Sequence, residues 1–313
     1  MNMKSITFKN KAVDVAGTLY FPRGFDETKQ YAALACVHPG SAVKEQSSGL
    51  YARKMAAKGY VTLAFDASYQ GASGGEPRSI EEPAARVEDI RCAVDFLTTL
   101  PFVDEHRIGV LGVCAGGGYS VNAAMTDHRI RAVGTVVPIN IGRARRTGDG
   151  SEGFAIRTLE EVGKQRTKEA RGEAPLMKTW VPNSLEEATR AGITGDVLEA
   201  VEYYRTPRAH HPNSNNQLRF TSVGSIMAFD AFHLVDELLT QPLLIIVGDR
   251  TGSFGSHAEG HRLYDKVTCE KDLLVIHGAS HVDMYDKPEY VDQAVEALTV
   301  FYGKNLSGDA RRR

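Results

Sequence analysis

The stretch Leu111-Gly112-Val113-Cys114-Ala115-Gly116-Gly117-Gly118 follows an apolar run, Ile108 to Leu111, and precedes residues able to form a helix. A side chain presented at the tip of a tight strand-to-helix turn needs small neighbours, because its own backbone is strained and strand and helix approach closely. Gly112, Ala115 and Gly116 supply that smallness. The following helix points its free N–H groups and positive dipole end at the sulfur, which favours a thiolate and any oxyanion formed there. Cys114 therefore reads as a nucleophile on an elbow turn where serine is the usual residue. One competing reading is a glycine-rich turn around a buried cysteine. The other is a phosphate-binding loop built on Gly109, Gly112 and Gly116. Against the second, the spacing is not G-x-G-x-x-G, no G-x-x-x-x-G-K-[ST] occurs, and the segment comes after several strands instead of in the first strand-turn-helix unit.

On either side of this turn, apolar runs of strand length alternate with helical stretches. Ser5 to Phe8 and Gly17 to Phe21 read as an opening pair of strands. Ala32 to Val37 reads as a central strand buried on both faces and ending at His38-Pro39-Gly40, and Tyr60 to Phe65 as the next strand. Leu50 to Lys58 reads as a helix, as does Pro83 to Leu100, with Val87, Ile90, Val94 and Leu97 on one stripe. Ala132 to Ile139 continues the strand rhythm. Residues 142–235 are then polar, charged and helix-prone, which predicts an insertion, and strands resume at Pro242 to Val247 and Asp272 to Ile276. Tyr290 to Phe301 closes the chain as a helix. The expectation is an α/β core from 1–141 and 236–313 with a mostly parallel sheet, sites at the carboxyl ends of its strands, and a helical insertion at 142–235.

The chain has 313 residues, 42% hydrophobic and 24% charged, with a formal net charge of −2. That charge gives no field to recruit nucleic acid or an anionic membrane. No run of about 18 apolar residues and no signal-peptide core is present. Cys36, Cys92, Cys114 and Cys269 are far apart and suggest neither a zinc site nor a disulfide framework; reduced thiols fit a cytoplasmic location. Adjacent His210-His211 lack a carboxylate or cysteine partner, so no metal is expected. The terminal Arg311-Arg312-Arg313 reads as a frayed tail.

A nucleophile requires a base, and Gly278-Ala279-Ser280-His281-Val282-Asp283 directly follows the last predicted strand. His281 would take the thiol proton, or hold a thiolate–imidazolium pair, and later activate water. A nearby imidazole and helix terminus predict a thiol substantially ionised near neutrality. The orienting acid is least marked. Its usual place, three residues beyond Gly248, holds Thr251, so Asp249 is the candidate, with Asn140, Asp283, Asp286 or no acid at all as alternatives. Oxyanion stabilisation needs two fixed N–H donors. Ala115 follows the nucleophile and supplies one. Gly40 is expected to supply the other, with Ser41 behind it, since Pro39 has no N–H.

With the elbow, the His38-Pro39-Gly40 loop and the terminal His281 in place, the chain resembles the α/β-hydrolase superfamily, and most closely its dienelactone-hydrolase-like branch with the fungal polyketide transferase family. The segments that carry the likeness include Val43-Lys44-Glu45-Gln46, Phe65-Asp66-Ala67-Ser68-Tyr69-Gln70-Gly71, Ser73-Gly74-Gly75-Glu76-Pro77-Arg78, Tyr203-Tyr204-Arg205-Thr206-Pro207-Arg208 and His281-Val282-Asp283-Met284-Tyr285-Asp286. The resemblance implies a cofactor-free hydrolase or acyl transferase acting through Cys114 and His281 on a small-molecule acyl substrate, with the insertion as a cap. Its departure is at Gly248-Asp249-Arg250-Thr251-Gly252, where the usual Gly-x-x-Asp is missing. Tyr204, Met227, Phe229 and Phe232 are candidate pocket-lining residues of the cap, with packing of cap onto core as the alternative. Glu45 and Asp66, near strand ends, read as solvated loop residues, with contact to the site as the alternative. A silent small-molecule-binding protein on the same scaffold is the rival from another class, and the sequence leaves the oligomeric state open, a homodimer included.

Overall fold

The computed structural model describes residues 2–308; the Arg311–Arg313 tail lies outside them. Eight strands form one sheet: β1 (Met3–Asn10), β2 (Val13–Tyr20), β3 (Tyr31–Val37), β4 (Val61–Phe65), β5 (Val103–Val113), β6 (Ile130–Val136), and two later strands, Leu243–Gly248 and Lys271–Ile276. Because a two-stranded ribbon, β7 (Met177–Thr179) with β8 (Gln217–Arg219), intervenes, these last two are β9 and β10. The sheet order is β1-β2-β4-β3-β5-β6-β9-β10, antiparallel at β1/β2 and β2/β4 and parallel everywhere else.

Parallel neighbours need crossover helices, and those helices bury both faces of the sheet. Along β3, Ala33, Ala35 and Val37 join one apolar cluster while Leu34 and Cys36 join the other; along β5, Ile108 and Val110 are divided from Leu111 and Val113 in the same way. This period-2 division places α2 (Pro83–Thr98) and α3 (Ala115–Ala124) on one face. On the other lie α1 (Ser47–Ala57) and, at the end of the chain, the helix Pro288–Asn305. Cys114, just past the end of β5, packs against both clusters.

Between β6 and β9 the chain leaves the sheet through α4 (Ile141–Thr147), α5 (Phe154–Ala170), β7, α6 (Leu185–Arg190), α7 (Gly195–Arg205), β8, α8 (Val223–Ala228) and α9 (Val235–Leu238). The core resumes with β9, α10 (Ser256–Lys266), β10, the single turn α11 (Asp283–Asp286) and α12, the helix Pro288–Asn305. Polar contacts tie the inserted segment to the loops at the strand ends. Ser214 Oγ donates to the Ser41 carbonyl at 2.9 Å, Gln46 Nε2 donates to the Ala209 carbonyl at 2.8 Å, and Arg208 pairs with Asp286. The β7–β8 ribbon had no counterpart in the sequence reading, because three-residue strands are too short to show periodicity. The strand expected over Ala132 to Ile139 stops at Val136. Val137 turns to a φ of 45°, and the Ile139 N–H leaves the sheet to donate to the Cys114 carbonyl at 3.0 Å.

Candidate active site

Cys114 sits at φ 57° and ψ −124°, a left-handed conformation that a side chain bearing a Cβ adopts at a cost of about 1–3 kcal/mol. Three backbone hydrogen bonds hold it there. Its N–H donates to Val136, and its carbonyl accepts from Gly117 and from Ile139. The flanking glycines are required by contact: a Cβ on Gly112 would stand 2.3 Å from the Gly116 carbonyl oxygen, and one on Gly116 would stand 2.4 Å from that of Val37.

The N–H groups of Ala115 and Gly40 both bond toward the Cys114 sulfur, so the two donors expected from sequence converge on one atom. Ser41 is not among them; its carbonyl is taken by Ser214. Behind Gly40 a buried network fixes the loop. His38 Nδ1 donates to the Pro39 carbonyl at 2.6 Å, its Nε2 accepts from the Ala67 N–H at 3.0 Å, and Arg86 donates to the His38 carbonyl at 2.7 Å. Burial, with the Arg86 charge beside it, holds His38 well below the usual histidine range and therefore neutral. Arg86 is itself buried against Glu81, 3.4 Å away, and Glu81 accepts from the Tyr119 hydroxyl at 2.8 Å.

His281 is buried at the end of the loop after β10, its ring 4.8 Å from that of Phe254. No direct hydrogen bond joins it to Cys114. Instead, His281 Nε2 lies 2.9 Å from the Tyr285 hydroxyl, and that hydroxyl also bonds toward the sulfur. Tyr285 lies on the single turn α11, which starts two residues after His281 and carries the hydroxyl back to the imidazole. The electrostatics differ from the expectation of a largely ionised thiol. Burial pushes the Cys114 thiol up to about 11, outweighing the lowering by Tyr285, Ala115 and Gly40, and burial pushes His281 down to about 4. The resting pair is thus a neutral thiol and a neutral imidazole.

Asp249 is not the orienting carboxylate. Its Oδ2 holds the exposed His277 at 2.5 Å and its Oδ1 accepts from the Gly278 N–H at 2.7 Å, on the outer side of the loop. The alternatives are committed elsewhere too. Asn140 caps α4 through the Arg143 N–H and donates to Asp230, Asp283 binds Arg250 and Lys287, and Asp286 binds Arg208. His281 Nδ1 is buried with no hydrogen-bond partner. The carboxylate whose charge acts on His281 is Asp196, from α7 of the insertion. It accepts from the N–H groups of Ser253 and Phe254 at 3.0 and 2.8 Å and so fixes the loop whose Phe254 ring lies on the imidazole.

Of the four candidate lining residues, Tyr204 reaches the site. It packs edge-on to Tyr203 and Tyr285, and its hydroxyl is buried beside Tyr285 and Cys114. Phe229 is half-buried against Tyr119, with ring centroids 5.5 Å apart. Met227 and Phe232 are sunk in the apolar cluster shared with α3 and pack the insertion onto the core. Asp66 is no solvated residue: it is fully buried and accepts from the Lys44 N–H and ammonium and from the Ala72 N–H. Glu45 pairs with Lys44 at the surface. Sequence reasoning missed Tyr285, which the four-residue spacing from His281 signals. It also missed Arg86, Glu81 and Asp196, which no local pattern marks.

Residues 4–147 match the family model described as PET hydrolase-like. The chain is 41% identical over 308 residues to the uncharacterized protein YcjY of Escherichia coli K12, covering 95% of this chain and 96% of that one. The crystal structure of the hypothetical protein PA2218 from Pseudomonas aeruginosa superposes with a TM-score of 0.88 at 35% identity, over 97% of this chain and 94% of that one. The chain belongs to one family with YcjY and PA2218, and its fold is that of the α/β hydrolases. Polyketide transferase claH of Penicillium crustosum is 29% identical to the chain, over 72% of this chain and 73% of that protein. A thiohydrolase of Eupenicillium brefeldianum is 25% identical over 81% and 80%. Among the described residues, no helix is long and apolar enough to cross a membrane.

Proposed function

We propose that this protein cleaves a small-molecule ester, lactone or thioester by transferring its acyl group to Cys114, without a cofactor. The observation that carries the reading is the convergence on one sulfur of the Ala115 and Gly40 N–H groups and the Tyr285 hydroxyl, the last bonded in turn to His281. Sulfur attacks the carbonyl carbon as the thiol proton moves to the Tyr285 oxygen and the Tyr285 proton moves to His281 Nε2. The tyrosine is unchanged after the two transfers and never ionises, in keeping with a phenol held well above its ordinary range by burial. The new oxyanion takes the hydrogen bonds of Ala115 and Gly40, a pair in which one donor is commonly worth about 10²–10³ in rate. Collapse expels the alcohol or thiol with a proton from His281. Water activated by the same imidazole then releases the acid and restores the thiol.

A neutral resting pair suits this concerted route, because neither charge needs to be solvated before substrate arrives. In this reading the insertion is a cap that keeps water from the acyl-enzyme. A cap of that kind equally supports delivery of the acyl group to a bound alcohol or amine in place of water, and a transferase is among the relatives. The test is turnover of short p-nitrophenyl esters and acyl thioesters, with product analysis when alcohols or amines are added. Cys114→Ala and His281→Ala are expected to lose activity by about 10³-fold or more. Undiminished turnover in both overturns the reading. Absence of any turnover or of an acylated Cys114, with a ligand still raising Tm, supports a silent binding protein.

A further inference from the structure

Helix α4, whose Ile141 side chain neighbours Gly40, carries three arginines, and two of them are spent on the protein. Arg143 pairs with Glu259 at 3.2 Å, and Arg146 donates to the carbonyls of Met227 and Phe229 at 2.6 and 2.7 Å. Arg145 is different. Its guanidinium lies over the indole of Trp180, 4.7 Å from the ring centre, and the other contacts recorded for it among the described residues are long-range interactions with Glu81 and Tyr119. It is half-buried, it forms no ion pair or hydrogen bond among the described residues, and none of its nitrogens is sealed from solvent.

Its position relates it to the reaction centre. The Trp180 indole rests on Gly40, the oxyanion donor, so closely that a Cβ there would stand 3.2 Å from the ring. Trp180 is fixed in turn by the hydrogen bonds that its N–H and that of Val181 make to Asn216. Glu81 cannot neutralise Arg145, since it is already paired with Arg86 and bonded to Tyr119. The Arg86–Glu81 pair cancels, and one positive charge is left over on the oxyanion side of the site. Its surroundings work against that charge, and a cation drawn partly out of water gains from a partner anion. The planar guanidinium carries its N–H groups as a fork, the geometry that matches a carboxylate with two parallel hydrogen bonds.

We infer that Arg145, held over the Trp180 ring, is a specificity residue that binds a carboxylate carried by the acyl substrate. The inference rests on the acyl-transfer reading of Cys114 and narrows its substrate class to acidic esters, lactones or thioesters. Paired esters isolate the charge. p-Nitrophenyl hydrogen glutarate and p-nitrophenyl 5-methylhexanoate place a carboxylate or an isopropyl group on the acyl side, and 4-acetoxybenzoate and 4-isopropylphenyl acetate do so on the leaving-group side. In one of the two pairs the wild-type protein is expected to favour the acid in kcat/KM by about 10- to 100-fold, chiefly through KM. Arg145→Gln is expected to bring that ratio close to one, and Arg145→Lys, which keeps the charge but not the fork, to fall between.

Turnover of all four esters that depends on Cys114 but shows no preference for either acid overturns the inference and leaves the hydrolase reading standing. The wild-type ratio alone decides this, so a poorly folding variant does not obscure it. If no ester is turned over, calorimetric titration of the wild-type chain and of Arg145→Lys with glutarate and with neutral glutaramide separates the two claims. Glutarate binding weakened about 10-fold or more by the substitution sustains the carboxylate site, and no difference between glutarate and glutaramide overturns it.

Discussion

The hydroxyl of Tyr285 stands 2.9 Å from Nε2 of His281 and bonds on its other side toward the Cys114 sulfur, so nucleophile and base communicate through a phenol. Removing the hydroxyl while keeping the ring leaves the packing of Tyr203 and Tyr204 in place and breaks the proton route. Tyr285→Phe is expected to lower kcat by about 10²-fold, with a smaller change in KM and little change in Tm, measured by steady-state kinetics and thermal unfolding.

The two aspartates are expected to separate cleanly. Asp249→Asn removes the charge paired with exposed His277 while its amide oxygen can still accept from the Gly278 N–H, and it is expected to leave kcat/KM within about 3-fold. Asp196→Asn removes the charge acting on buried His281 and weakens the clamp on the Phe254 loop, and a fall of about 10-fold or more is expected. Equal effects of the two substitutions contradict this division.

A neutral thiol–imidazole pair has a pH signature. With His281 pushed down to about 4 and Cys114 up to about 11, kcat/KM is expected to stay level across roughly pH 5 to 10, falling below as the imidazole takes a proton. Alkylation of Cys114 by iodoacetamide, followed by peptide mass spectrometry, is expected to be slow at pH 7 and to climb toward pH 11. The same His281 shift bears on stability. An imidazole whose folded value lies below its unfolded one binds fewer protons in the native state, so stability is lost as pH falls from about 6.5 toward 4 and is fully present above that window. Urea midpoints at pH 7 and pH 4.5 measure it, and His281→Gln is expected to flatten the difference.

Glu81 and Arg86 form a buried pair in which either member alone is an uncompensated charge or an unfilled donor. Glu81→Gln is expected to cost about 3–5 kcal/mol in chemical denaturation. Asp14→Asn, which breaks the exposed Lys9–Asp14 pair, is expected to cost less than about 1 kcal/mol.

Gly116→Ala tests the elbow itself. Its new Cβ meets the Val37 and His38 carbonyl oxygens at 2.4 and 2.7 Å, and backbone at the centre of a sheet has nowhere to move. A loss of about 1–3 kcal/mol or more is expected, together with a displaced Gly40 loop and reduced turnover.

The elbow, the strand-end loop at Gly40 and the histidine after the final strand were legible because each is a local signal: small residues at a strained turn, a proline that removes one donor, an apolar run followed by a polar loop. Asp249 misled for the same reason. It is the near carboxylate in sequence, yet its loop turns it outward to His277. The ionisation of Cys114 misled because helix terminus and imidazole are visible in sequence while desolvation is not, and desolvation is the larger effect here.

The amino-acid order by itself determined the α/β layering and the strand ends at which Cys114, Gly40 and His281 stand, since hydrophobic period and turn chemistry are properties of neighbouring residues. Which groups meet at those ends was decided only by the tertiary structure. Asp196 and His281 are 85 residues apart, and Arg145, Trp180 and Gly40 come from three separate segments. Their approach depends on how the inserted segment packs over the sheet, and the same packing buries Asp196 and His281.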